Sequence, residues 1–306
     1  MKENKIGTLK TLLVFFIGVA TLLVIGVLWP FWILFDKVVN LIGVRGIRSR
    51  NGKLQTPIVF YEHPVTKRVI VFVATIHIGE PAYYADIQQC IESLQGYKIL
   101  FEGVGKLSLQ EEQILTETEQ DVLGQFNVVF RFTRKLAEIM SLQFQKDGFM
   151  YHSSWINTDM KFYDLIRLFA QRNICLIKTD HDIDELFSNQ LTQDFSRWLV
   201  NVFFSRPVST IIISTGVAFF SKNKRALQGL ILDTRNEVAF QHISKHLDDD
   251  ANIVTIWGAA HLSGIEKKLK HAGFREIDRA WFTAYTVRDY SFFDIFYREQ
   301  HNRRCQ

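Results

Sequence analysis

The sequence predicts an α/β protein: a mixed central sheet flanked by helices, with a weak strand–helix–strand duplication, behind one N-terminal transmembrane helix. Three observations carry that expectation. Residues 11–35 contain no charged side chain. Apolar, β-branched runs at 68–77, 97–102 and 251–257 alternate with stretches of helical periodicity. Two of those runs end in a small residue followed three positions later by histidine, Ala74-Thr75-Ile76-His77 and Gly258-Ala259-Ala260-His261, which we read as an internal duplication.

The first element, TLLVFFIGVATLLVIGVLWPFWILF, would reach roughly 37 Å as a helix at about 1.5 Å per residue, enough to span a bilayer with some tilt. A cleaved leader has an apolar core of only about 7–15 residues and a small-residue cleavage site, so this run reads as an anchor that stays in the lipid bilayer. Trp29 and Trp32 stand where interfacial aromatics belong. Lys2, Lys5 and Lys10 precede the anchor and Lys37, Arg45, Arg48, Arg50 and Lys53 follow it. That excess favours a single-pass membrane protein with a cytosolic domain.

The chain divides into a flank (1–10), the anchor (11–35), a basic juxtamembrane segment (36–56), an α/β domain (57–290) and a C-terminal tail (291–306). Gly43, Gly46, Gly52 and then Pro57 punctuate the juxtamembrane segment, and the domain is expected to start at Pro57. RVIVFVATIH at 68–77 is a strand buried on both faces, Gly79, Glu80 and Pro81 open a helix to Leu94, and YKILFE at 97–102 is the next strand. A helical middle covers 108–148. An amphipathic helix over 159–171 leads to a short strand at 174–178, and helical periodicity returns over 232–247. The strand at 251–257 and a helix over 264–271, with Gly273 past its end, complete the second unit. The apolar stretch 199–220 is interrupted by Arg206-Pro207; it reads as a helix packed in the core or lying on the bilayer surface.

A formal charge of +4 is spread along the chain rather than gathered in a stripe, so no nucleic-acid partner is expected. Cys90, Cys175 and Cys305 are odd in number and far apart, which forms neither a disulfide framework nor a zinc motif.

Ligands in open α/β sheets bind beyond the carboxyl ends of the strands. His77, Glu102, Asp180-His181-Asp182 and His261 all sit at such ends. A buried Glu or His at the end of an apolar strand needs a partner. His77, Glu102 and His261 together suit a divalent metal such as manganese, cobalt or zinc, whose bound water is acidified towards neutral pH. The same groups could act without metal, with a histidine as general base and Glu102 orienting water. Asp182 also reads as a helix cap, and His242 and His246, four apart on a helix, as a solvated face.

The tracts ATIH at 74–77, FEG at 101–103, WINTDM at 155–160, DTRNEVAFQHI at 233–243 and GAAHLSGIEKKLKHAGF at 258–274 resemble, in that order, the TraB/PrgY/GumN family, which includes the Tiki proteins. The resemblance covers 68–278. It implies an α/β fold and a site set of His77, Glu102, Arg235 and His261, with Asn157 and Asp159 as further candidates and Arg235 holding a carboxylate or carbonyl oxygen. It further implies metal-dependent hydrolysis of a peptide or protein substrate in the Tiki branch, and regulation of peptide signals in other branches. Ala74 departs from the family's usual glycine, and its methyl is expected to narrow the site. The two functions that follow are a membrane-anchored hydrolase and a non-catalytic membrane regulator that sequesters a peptide or other small ligand.

Overall fold

The computed structural model describes residues 46–176, 193, 194, 196, 229–247 and 251–287, all within the compact unit Val44–Gln306. Among the described residues no helix is long and apolar enough to cross a membrane. The expected anchor at 11–35, the Asp180-His181-Asp182 group, the 199–220 stretch and the tail lie outside the described residues.

The elements are β1 (Arg48–Arg50), β2 (Lys53–Glu62), β3 (Val69–Thr75), β4 (Ile78–Gly79), α1 (Pro81–Ser93), β5 (Lys98–Phe101), α2 (Leu109–Gln113) and α3 (Glu117–Met140). They continue with β6 (Gln143–Phe144), α4 (Gln145–Gly148), β7 (Ile156–Asn157), α5 (Phe162–Gln171), a π-helical turn (Gly229–Thr234) and α6 (Arg235–Leu247). β8 (Ile253–Gly258), a 3-10 turn (Ala259–His261), α7 (Leu262–His271) and β9 (Arg275–Thr286) complete the described part.

The main sheet is mixed, as expected, in the order β1-β2-β3-β8-β5-β7 with β9 also on β2. β3, β8, β5 and β7 run parallel. β2 is antiparallel to β1, β3 and β9. β3 is an unbroken apolar run because both of its faces are covered. Val71 and Val73 join Ile58, Val254 and Ile256 against α1 through Tyr83, Tyr84, Ile87 and Ile91. Ile70, Phe72 and Ala74 join Trp257 against α6 and α7 through Ala239, Ile243, Leu262, Ile265 and Leu269. Helices therefore lie on both faces of a buried parallel core.

Helix starts follow local chemistry. Pro81 occupies the first turn of α1, where its missing N–H costs nothing. Thr116 and Glu119 close a capping box on α3, satisfying two donors that would otherwise lack partners. α1 gives way to a turn in which Gly96 takes φ +79°, and α7 is followed by Gly273 at φ +91°, left-handed conformations that glycine adopts without steric cost.

Three expectations are corrected. The sheet begins at Arg48 rather than Pro57, so the first strands lie inside the segment read as juxtamembrane. Pro57 falls in β2 between the residues that face β1 and those that face β3, and so interrupts neither pairing. Residues 174–176 carry no strand; β5 instead takes β7 as its neighbour. α5 begins at Phe162, not Asp159, because Asp159 is used elsewhere. The long strand β9 was not anticipated.

Candidate functional site

The sheet order brings the predicted residues together. β8 is inserted between β3 and β5 with all three parallel, so the strand ends that carry the two histidine tracts and Glu102 lie side by side. β7 adds Asn157 and Asp159 on the far side of β5. α6 contributes Arg235 and Asn236, its first two residues, both buried. A π-helical turn leads into α6, a feature that often marks functional positions.

Glu102 is the hub. Its Oε2 accepts the Gly258 N–H at 2.5 Å and its Oε1 accepts Arg235 Nη2 at 2.5 Å. Gly258 permits that approach, since a Cβ there would stand 3.1 Å from Glu102 Oε2. Arg235 also reaches Asp159, with Nε to Oδ1 at 2.9 Å and Nη2 to Oδ2 at 2.6 Å. The guanidinium thus clamps two protein carboxylates, and its face lies over Trp257 at 5.5 Å. Asn157 is exposed and serves the loop, donating to the Gly103 carbonyl and accepting from the Asp159 N–H.

His261 is 3% exposed. Its Nδ1 lies 2.8 Å from Asn236 Oδ1, and its ring packs edge-on against Trp257 at 5.0 Å. Its Nε2 stands 3.7 Å from Glu102 Oε1. His77, by contrast, is exposed; its backbone carbonyl accepts the Gln145 N–H, and its charge is felt by both Glu102 and His261.

Burial would raise the Glu102 pKa, but the Arg235 charge, then His261, His77 and the Gly258 N–H, hold it well below the usual carboxylate range. Asp159 moves the other way, because burial outweighs its bonds to Arg235 and Glu102 adds like charge. Burial also pushes His261 down to about 4, with Glu102 opposing and Arg235 and His77 assisting. At neutral pH His261 is therefore neutral. The two carboxyl groups share one guanidinium.

Among the described residues no three His, Cys, Asp or Glu side chains converge as a ligand group. Glu102 and His261 nevertheless fit one: 3.7 Å separates their facing atoms, a gap that an ion bonded to each at about 2.1 Å would span. His261 also has the outer bond to an amide oxygen that usually orients a ligating imidazole. His77 is the group that would have to move in from the rim.

Sequence reasoning passed over Asn236, although it directly follows Arg235 in the quoted tract, and Tyr151. Tyr151 packs at a tilt against Phe101 and in a T-shaped contact with Trp155. Burial, offset in part by a hydrogen bond to Gln145 and joined by the Glu102 charge, pushes its phenol up to about 12, so it is a donor at neutral pH. Ala74 is fully buried in the core beside Trp257 and Ala259, so its methyl fills core volume. His242 is half-buried and, with His246, belongs to no ligand cluster among the described residues.

Comparison with known proteins finds no matching family model, no matching curated protein and no matching solved structure.

Proposed function

We propose that this chain is a membrane-anchored hydrolase of TraB/GumN (Tiki-like) type acting on a peptide or protein. The observation that carries the reading is the approach of His261 Nε2 to Glu102 Oε1 at 3.7 Å, with both side chains almost wholly shielded from solvent. With His261 neutral and Nε2 bare, both atoms can accept, and Glu102 Oε1 has a lone pair left beside its bond to Arg235. A water molecule there gives one hydrogen bond to each and directs a lone pair at an incoming carbonyl carbon. In the attack the water oxygen bonds to that carbon as the carbonyl π pair moves onto its oxygen, and the water's proton passes to His261 Nε2 while Glu102 holds the water in line; the C–N bond then breaks as that proton is handed to the departing nitrogen. Arg235 and the Gly258 N–H fix the Glu102 carboxylate, and Tyr151 is a phenolic donor at the rim. A manganese, cobalt or zinc ion held by Glu102 and His261, with His77 as third ligand, would supply water acidified towards neutral pH.

The motif tracts and the position of the cluster at the carboxyl ends of parallel strands support this reading. The stretch at 11–35 would hold the site near a bilayer and favour membrane-proximal substrates.

The test is a mass-spectrometric peptide-cleavage screen on the full chain in detergent, with and without added manganese, cobalt or zinc, beside Glu102→Gln and His261→Gln. Cleavage reduced at least 100-fold in folded variants supports the hydrolase. A second reading, a non-catalytic regulator, draws on the low basicity of both Glu102 and His261. Saturable peptide binding without product, surviving both substitutions, would replace the first reading with the second.

A further inference from the structure

We infer that Asn236 is a positioning residue that fixes His261 in its Nδ1–H tautomer, so that Nε2 turns an unprotonated face towards Glu102. The inference rests on the proposed role of the His261–Glu102 gap, but its test requires no turnover.

In a neutral imidazole, the proton goes to whichever nitrogen has the better acceptor. For Nδ1 that acceptor is Asn236 Oδ1 at 2.8 Å, with both residues under 5% exposed. For Nε2 it would be Glu102 Oε1, and 3.7 Å is beyond hydrogen-bond range. Glu102 has no need of that proton, because Arg235 and the Gly258 N–H already serve its two oxygens. The 2.8 Å bond therefore decides the tautomer.

Asn236 is itself held from two directions. It follows Arg235, whose clamp on Glu102 and Asp159 anchors the first turn of α6. Across from it, Gly264 brings α7 so close that a Cβ there would stand 2.2 Å from Asn236 Nδ2. The amide is confined between the imidazole and the α7 backbone, and the imidazole also packs in a T-shaped contact with Trp257. Without the amide oxygen, the proton is drawn to Nε2 by the Glu102 charge, and the gap loses one of its two acceptors.

The experiment is nitrogen NMR at neutral pH on the full chain in detergent, labelled with 15N-histidine, with His261 assigned by the signals lost in His261→Gln. The wild type should show a protonated Nδ1 and a bare Nε2. Asn236→Ala should lower the Nδ1–H to Nε2–H ratio about tenfold, the worth of one ordinary hydrogen bond. Asn236→Asp, which keeps an acceptor oxygen, should retain Nδ1–H. Gly264→Ala should lower the ratio with the Asn236 side chain still present, because the added Cβ pushes the amide off the imidazole. A merely structural role for Asn236 would leave the ratio unchanged. A protonated Nε2 in the wild type overturns the inference, as does an unchanged ratio in folded Asn236→Ala. If Asn236→Ala does not fold, the wild type and Asn236→Asp decide. A wild-type Nδ1–H with no peptide turnover keeps the tautomer and removes the hydrolase.

Discussion

The two histidine tracts end neighbouring parallel strands, with Thr75 opposite Gly258, yet they become different structures. After β8 the chain coils into a 3-10 turn that buries His261 against Trp257 and Asn236. After β3 it bends at His77 and enters β4, where Ile78 pairs with Phe144 of β6 and the Gln145 N–H holds the His77 carbonyl, leaving the His77 side chain exposed. The small residue that opens each tract differs in the same way. Gly258 is required by a carboxylate that a Cβ would crowd, whereas Ala74 fills core volume. Similar sequence at two strand ends has produced one buried, fully oriented histidine and one accessible histidine. A site that holds one group still and lets another meet a ligand needs both.

The comparison breaks most sharply at the cation that serves the β8 side. Arg235→Ala leaves the buried carboxylates of Glu102 and Asp159 without their shared partner. Chemical denaturation should show a loss of about 3–5 kcal/mol; a loss below about 1 kcal/mol would mean that the clamp is not built as described.

The pH dependence of stability is the next test. Folding takes His261 from an ordinary value near 6.5 down to about 4, so between those limits the unfolded chain binds the extra proton. Stability should therefore fall as pH drops through that window, by roughly 3 kcal/mol in all at about 1.4 kcal/mol per unit. Glu102 has the same sign at lower pH. Its depressed value contributes stability above the unfolded carboxylate range, lost as pH falls through the folded value. Denaturation of His261→Gln across pH 6.5 to 4 should lack the histidine component; a wild-type-like slope would place the depressed histidine elsewhere.

The opening residues of the tracts should respond in opposite ways. Gly258→Ala adds a Cβ at 3.1 Å from Glu102 Oε2, and should cost about 1–2 kcal/mol and weaken any ligand binding that depends on Glu102. Ala74→Gly should cost about 1–2 kcal/mol, through backbone entropy in a strand and the loss of a fully buried methyl, with ligand binding unchanged by calorimetry. At the small end, His77→Gln should alter stability by less than about 0.5 kcal/mol, as exposed substitutions do. A larger effect would show that His77 is structural, not a rim residue.

Much of the sheet was legible because burial on two faces writes itself into composition. β3, β5 and β8 are short apolar runs, and α1, α6 and α7 follow from helical spacing with Pro81, Gly96 and Gly273 as punctuation. β2 and β9 were not legible. Pro57 reads as a breaker inside β2 in any local window, exposed charged residues such as Arg275, Glu276 and Asp278 open β9, and the two strands support each other by pairing across more than two hundred residues, as Tyr61 with Glu276. Such partners are invisible to a local window. Asp159 was assigned to a helix because it precedes one in phase. Its Oδ1 instead accepts the Met160 N–H and Arg235 Nε, and the helix starts only after that loop.

The sequence by itself determined the mixed α/β class and which titratable side chains end strands, since hydrophobic run length and residue type are local properties. Tertiary structure alone decided that β8 lies between β3 and β5, that Arg235 is spent on Glu102 and Asp159, and that Asn236 takes one nitrogen of His261. Those outcomes depend on strand order and on the direction of individual lone pairs across the fold, and no periodicity in a single chain encodes either.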